Sequence, residues 1–155
     1  MKADIVKMIR TVSIAGSLLM ATSIPSFSAE YVSVVKDGVN VRTGPGTSNP
    51  VYMELFKGYP LMVAEKNGEW IKVQDFEKDS GWIHSSLVEN GNTVIVNADS
   101  RVNMRSGPGT KNAIVANLER GVVLQTIERQ DKWVKVKHLS GTEGWIYAPL
   151  LWPGN

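Results

Sequence analysis

Val39-Asn-Val-Arg-Thr-Gly-Pro-Gly-Thr47 recurs as Val102-Asn-Met-Arg-Ser-Gly-Pro-Gly-Thr110, 63 residues further along the chain. The same offset, without a gap, aligns Leu55 with Leu118, Gly58 with Gly121, Leu61 with Leu124 and Trp70 with Trp133. It continues through Lys72-Val73 and Lys135-Val136, then Gly81-Trp82-Ile83 and Gly144-Trp145-Ile146, and ends at Leu87 and Leu150. Of 50 aligned positions, 38–87 against 101–150, 19 are identical, which chance does not produce. The chain therefore holds two copies of one unit, and a repeat of this kind sets the organisation before any single motif does. The units run over residues 29–89 and 93–152, with 90–92 (Asn-Gly-Asn) as linker.

Each unit reads as a series of short strands. Tyr31–Val35 and Val39–Arg42 are rich in β-branched residues and flank Asp37-Gly38, a turn signal. Pro60–Glu65 and Trp70–Val73 flank Lys66-Asn67-Gly68-Glu69, where Asn-Gly favours the positive backbone angles of a tight hairpin. Arg129-Gln130-Asp131-Lys132 fills the same slot in the second copy. Ser80–His84 and Glu143–Tyr147 are the last strands, each with glycine before tryptophan. No helical periodicity is sustained beyond the N-terminal segment. Five or six strands in about 60 residues predict an all-β unit, a small closed or nearly closed barrel that limits exposed edges.

The N-terminal segment reads differently. Lys2, Lys7 and Arg10 precede an apolar run from Thr11 to about Ile24, followed by Pro25 and the small residues Ser26 and Ser28. A run of roughly 14 residues is short for the ~20 that a membrane-crossing helix needs. This is the layout of a secretory signal peptide over residues 1–28, cleaved after Ser28 or, as second choice, after Ala29. An uncleaved anchor or a buried helix is the competing reading. Without cysteine there is no acylation site for a lipoprotein anchor. The expectation is export to a periplasm or to the cell exterior or wall, as a free soluble protein with no stable membrane anchor after cleavage.

Composition narrows the chemistry. The whole chain carries 17 Lys and Arg against 15 Asp and Glu; removing Lys2, Lys7, Arg10 and Asp4 with the leader leaves 14 of each. A neutral chain speaks against nucleic acid, which is bound through net cationic surface. Residues 29–90 carry six cations and nine anions, and residues 91–155 eight and five, so the halves have opposite charges of −3 and +3. These opposite signs either draw the units together or reflect drift of solvated positions. Zero cysteines remove thiol catalysis and thiolate metal sites. His84 aligns with Tyr147 and His138 with Asp75, so the histidines form no repeated pair. Neither HExxH nor GxSxG occurs. Asp75, Glu77 and Asp79 read as a solvated turn. No enzyme, cofactor or metal is expected.

The Asn-x-Arg-x-Gly-Pro-Gly-Thr signature, the mid-unit Trp-x-Lys-Val and the terminal Gly-Trp-Ile resemble the bacterial SH3 (SH3b) domain, and the resemblance spans both copies. It implies two tandem small SH3-like β-barrels after the signal peptide. Many members of that family are cell-wall targeting modules that bind peptidoglycan peptides or cross-bridges, and others are envelope interaction modules. The implied function is a non-catalytic extracytoplasmic module docking on peptidoglycan or its peptide moieties; the alternative is an envelope adaptor whose partner is a protein. Oligomeric state is open.

In physical terms, Asn40 and Asn103 suit side-chain to backbone ties, and Arg42 and Arg105 suit a clamp on loop carbonyls or direct ligand contact. Gly44-Pro45-Gly46 and Gly107-Pro108-Gly109 form the turn. Trp82 and Trp145 read as core or barrel-rim packing. Exposed aromatics on loops are the binding candidates: Tyr52, Phe56 and Tyr59 in the first copy, which become Val115, Glu119 and Val122, and the retained Trp70 and Trp133, which are evenly divided between core and groove.

Overall fold

The computed structural model describes residues 28–154, and nearly all of the reading of residues 1–28 as a signal peptide lies outside them. The first unit contains β1 (Tyr31–Val34), β2 (Val39–Arg42), β3 (Val51–Leu55), β4 (Pro60–Asn67), β5 (Trp70–Gln74), β6 (Ser80–His84) and β7 (Val88–Asn90). The second contains β8 (Thr93–Val96), β9 (Val102–Arg105), β10 (Ile114–Leu118), β11 (Val123–Gln130), β12 (Trp133–Lys137), β13 (Glu143–Tyr147) and β14 (Leu151–Trp152). One turn of 3-10 helix, Ser85–Leu87 or Ala148–Leu150, precedes the last strand of each unit. Each unit is one seven-stranded sheet, with order β3-β2-β6-β5-β4-β1-β7 and β10-β9-β13-β12-β11-β8-β14, and every pairing is antiparallel. The protein is all-β, in two tandem domains.

Seven strands replace the expected five or six. The additions are β3 and β7 with their counterparts, and their patterns explain why they are hard to read. In β3, Val51 and Tyr52 are neighbours yet both exposed, because the pairing with β2 slips at Val41/Arg42 and disturbs the two-residue alternation. β7 is three residues long and has no buried residue.

Elsewhere the alternation is clean and decides which face is buried. In β2, Val39 and Val41 point inward while Asn40 and Arg42 point outward; in β5, Ile71 and Val73 point inward while Trp70 and Lys72 point outward. The inward residues of six strands, from Val32 and Val34 to Ile83, form a single cluster, so the sheet curls around its own core. The second unit does the same around Val94, Met104, Leu124, Val136 and Ile146. Trp82 and Trp145 belong to neither cluster and alternate with inward Ile83 and Ile146; Trp82 is half-buried, whereas Trp145 is buried, 8% exposed. They lie directly across from Arg42 and Arg105. The preceding glycines make this possible: a Cβ at Gly81 would stand 2.5 Å from Val41 Cγ1 and 2.9 Å from the Arg42 carbonyl oxygen.

The hairpin loops are two residues long, with Asn67 paired to Trp70 and Gln130 to Trp133. The positive angle falls on Gly68 (φ 60°) and on Asp131 (φ 50°).

Only Gly91 and Asn92 separate β7 from β8. The units are joined by partly buried polar contacts: Ser33 Oγ lies 2.6 Å from Thr93 Oγ1, and the Thr93 hydroxyl donates to the Gly58 carbonyl at 2.6 Å. Ser33 is fully buried, so on its side the contact is shielded from competing water. Arg120 of the second unit reaches Glu77 of the first at 3.5 Å and lies over the Phe76 ring at 5.1 Å.

Candidate binding grooves

Outward residues of neighbouring strands meet in rows. In the first unit His84 stands across from Trp70, their rings edge-on at 5.5 Å. Beside them run Asn40 and Arg42, two residues apart on the outer face of β2. The loop after β2 closes this corner. Arg42 Nη1 donates to the carbonyls of Thr47 (3.0 Å) and Asn49 (2.7 Å), and Asn49 Nδ2 donates to the Gly46 carbonyl at 3.3 Å. Gly44 is required here because a Cβ would lie 2.6 Å from Asn49 Oδ1. The loop tie thus belongs to Asn49, not to Asn40, which is half-buried in the wall of a groove.

That groove, about 300 Å³, is lined by Lys36, Asn40, Arg42, Thr47, Trp70 and His84, among others. The second unit has a groove of about 530 Å³ at the same place, lined by Arg101, Asn103, Arg105, Thr110, Trp133 and Tyr147 with their neighbours. Asn, Arg, Thr and Trp correspond one to one across the repeat, as do Val39 with Val102 and Leu87 with Leu150. Arg105 Nη1 donates to the Asn112 carbonyl at 2.9 Å, and Trp133 faces Tyr147 at 5.7 Å. Each groove combines an indole, an amide, a loop hydroxyl and two cations, and no carboxylate lines either, although Arg101 of the second groove is paired with the exposed Glu119 at 3.1 Å. By its chemistry such a surface suits an anionic, partly apolar ligand, since guanidinium or ammonium groups complement a carboxylate and an indole complements an aliphatic body.

The grooves gather four of the binding candidates from sequence, Arg42, Arg105, Trp70 and Trp133, together with Asn40 and Asn103, which the sequence reading assigns to structural ties. His84 and Tyr147, and the cations Lys36 and Arg101, are not among the candidates from sequence; for the first two, ring-bearing residues at one repeat position across from the repeated tryptophans are the available signal. Tyr52, Phe56 and Tyr59 do not join them. Tyr52 donates to Asp79 at 3.1 Å, and this hydrogen bond and the Asp79 charge raise the phenol's pKa. Tyr59 is partly buried, packs edge-on to Phe56 at 5.3 Å and donates to Asp75 at 3.2 Å. Burial first, and then the Asp75 charge, push its phenol well above the usual range.

The acidic turn is only partly solvated. Asp75 is 5% exposed, and its Oδ1 accepts the amides of Glu77 and Asp79, each at 2.9 Å, so it organises the turn. Among the described residues, no three His, Cys, Asp or Glu side chains are grouped as a metal site would need, and no helix is long and apolar enough to cross a membrane.

The family described as bacterial SH3 domain matches the chain twice, over residues 35–90 and 98–153. YrvJ of Bacillus subtilis, named for an N-acetylmuramoyl-L-alanine amidase activity, is 27% identical over 144 residues, which are 86% of this chain and 27% of that protein. Two solved structures are similar at lower identity. NlpC2 of Trichomonas vaginalis matches at 17% identity and a TM-score of 0.33, over 80% of this chain and 48% of that one. An NlpC/P60 family protein of Bacillus cereus matches at 11% and a TM-score of 0.37, over 78% and 55%. The chain thus spans about a quarter of the amidase-named relative and about half of each structure.

Proposed function

The chain belongs to the bacterial SH3 domain family, and on that premise we propose that it is a non-catalytic extracytoplasmic binding module whose two grooves dock on peptidoglycan through its peptide moieties. The observation that carries this is the repeated pairing of an indole with two cations and no carboxylate. Cell-wall peptides present carboxylates on short aliphatic side chains, the complement of that surface. The likeness to an amidase-named protein supports a cell-wall setting. The part shared with that relative is accounted for by the two SH3 units, so the shared part is read as binding rather than chemistry.

A second reading, an envelope adaptor with a protein partner, draws on a different surface. Val51 and Tyr52 on β3, and Ile114 and Val115 on β10, are about half exposed at matching sheet edges. Open edges with apolar side chains are surfaces onto which other chains pair.

Co-sedimentation with purified sacculi separates the two. Wall docking gives saturable pelleting that falls about tenfold in Trp70→Ala or Trp133→Ala, corresponding to loss of ~1.4 kcal/mol, with each variant's melting temperature checked. Absence of pelleting at every salt concentration sinks the wall reading and leaves the adaptor.

A further inference from the structure

The two units face each other at two corresponding places, and they touch at one of them. Arg120 covers Phe76 on one side of the interface. Under the 63-residue correspondence Arg120 answers to Lys57, and Phe76 to Leu139. That second pair is not closed. Lys57 and Leu139 instead line an open cleft of about 530 Å³ between the units, a volume in the range of small-ligand sites. Phe76 has a guanidinium as cover, whereas Leu139, at a turn tip, is 93% exposed and Phe56 beside the cleft is 46% exposed. The floor is rigid, since Thr93 is bonded to both Ser33 and the Gly58 carbonyl. Gly58 holds a positive φ of 81°, which fixes the turn on that floor.

We propose that this cleft binds a short zwitterionic peptide. Charges of both signs line it, Asp37 and Glu89 from the first unit and Lys57 and Lys137 from the two units. Asp37 and Glu89 receive the ammonium, and Lys57 and Lys137 receive the carboxylate. An aliphatic side chain of the peptide lies between Phe56 and Leu139, removing both from water. Lys137 is already paired with Glu143 at 3.2 Å, but that pair is solvated and weak enough to be shared. None of these residues lines either Trp groove, so the cleft stands or falls separately from the wall-docking reading.

The test is a titration of the purified, isotope-labelled protein with the unblocked tetrapeptide Ala-Leu-Leu-Ala, followed by amide chemical shifts. The N-acetylated, C-amidated form of the same peptide is the second probe. The expected result is saturating shifts at Asn92, Thr93, Gln125 and Leu139, with the blocked peptide at least about tenfold weaker. Leu139→Ser and Glu89→Gln, both at exposed positions, each weaken the unblocked peptide several-fold without changing the melting temperature. Equal binding of the two peptides, shifts confined to the Trp70 and Trp133 grooves, or no shift up to millimolar peptide overturns the proposal.

Discussion

The turn after β5 and the turn after β12 occupy one place in the two units and are tied by different chemistry. In the first, Asp75 Oδ1 accepts the Glu77 amide; in the second, His138 Nδ1 accepts the Ser140 amide at 3.2 Å. Lys78 and Gly141 both hold a positive φ, 72° and 91°. The turn needs an acceptor two residues ahead of a free amide, and either side chain supplies one. The grooves follow the same rule. Asn, Arg, Thr and Trp are common to both, while His84 is exchanged for Tyr147, and the volumes differ. Backbone geometry is what the repeat preserves; the chemistry on it is free to diverge.

The largest expected effect compares the glycines that precede Trp82 and Trp145. At Gly81 an added methyl meets stiff, β-branched Val41 and the Arg42 carbonyl; at Gly144 it meets the flexible Met104 side chain and the Arg105 carbonyl. Gly81→Ala is expected to destabilise its unit by about 3 kcal/mol and Gly144→Ala by about 1–2 kcal/mol, read from denaturant melts. Equal losses would remove Met104 as the reason for the difference.

Next comes the turn. Asp75→Ala removes the buried acceptor shared by the Glu77 and Asp79 amides and the Tyr59 hydroxyl, and is expected to cost about 2 kcal/mol. His138→Ala, on a more exposed turn, should cost less than about 1 kcal/mol. The reverse order would mean that the two turns are not equivalent supports.

The third prediction concerns alkali. Tyr59 is held protonated in the folded state, and Val122 replaces it in the second unit. A phenol with a raised folded pKa contributes its full stability below the unfolded value of about 10, and loses it as pH rises above that. The first unit should therefore lose stability above pH ~10 before the second does, and Tyr59→Phe should remove the larger part of that loss, the exposed Tyr52 contributing the rest. An unchanged alkaline melt in Tyr59→Phe would separate the lag from this phenol.

The smallest effect is in the grooves. His84 lies beside Trp70 in the first groove and Tyr147 beside Trp133 in the second. Exchanging the pair, His84→Tyr with Tyr147→His, is expected to change a carboxylate ligand's affinity for each groove by about two- to threefold, read by titration; unchanged affinities would show that the ring at this position does not touch the ligand.

Much of this was readable in advance from residues close together in the chain. The Gly68 hairpin, the alternation of β2 and β5 and the signature loop follow from spacing alone. The edge strands were not readable, since the slip at Val41/Arg42 breaks the period on which such reading depends. Nor was the division of labour between Asn40 and Asn49, because two asparagines in one loop are alike until the path of the Arg42 side chain is known.

By itself, then, the sequence determined the duplication, the all-β character and the pairing of hairpin neighbours, since strand period and turn angles are local properties. Tertiary structure alone decided that Trp70 and His84 share a groove with Asn40 and Arg42. It also decided that Trp82 turns outward, and that Ser33 reaches Thr93 60 residues away. Those arrangements come from curling each sheet around its core and pressing two such barrels together. Contacts made by closure join segments with no common local pattern, so they exist only once the whole chain has folded.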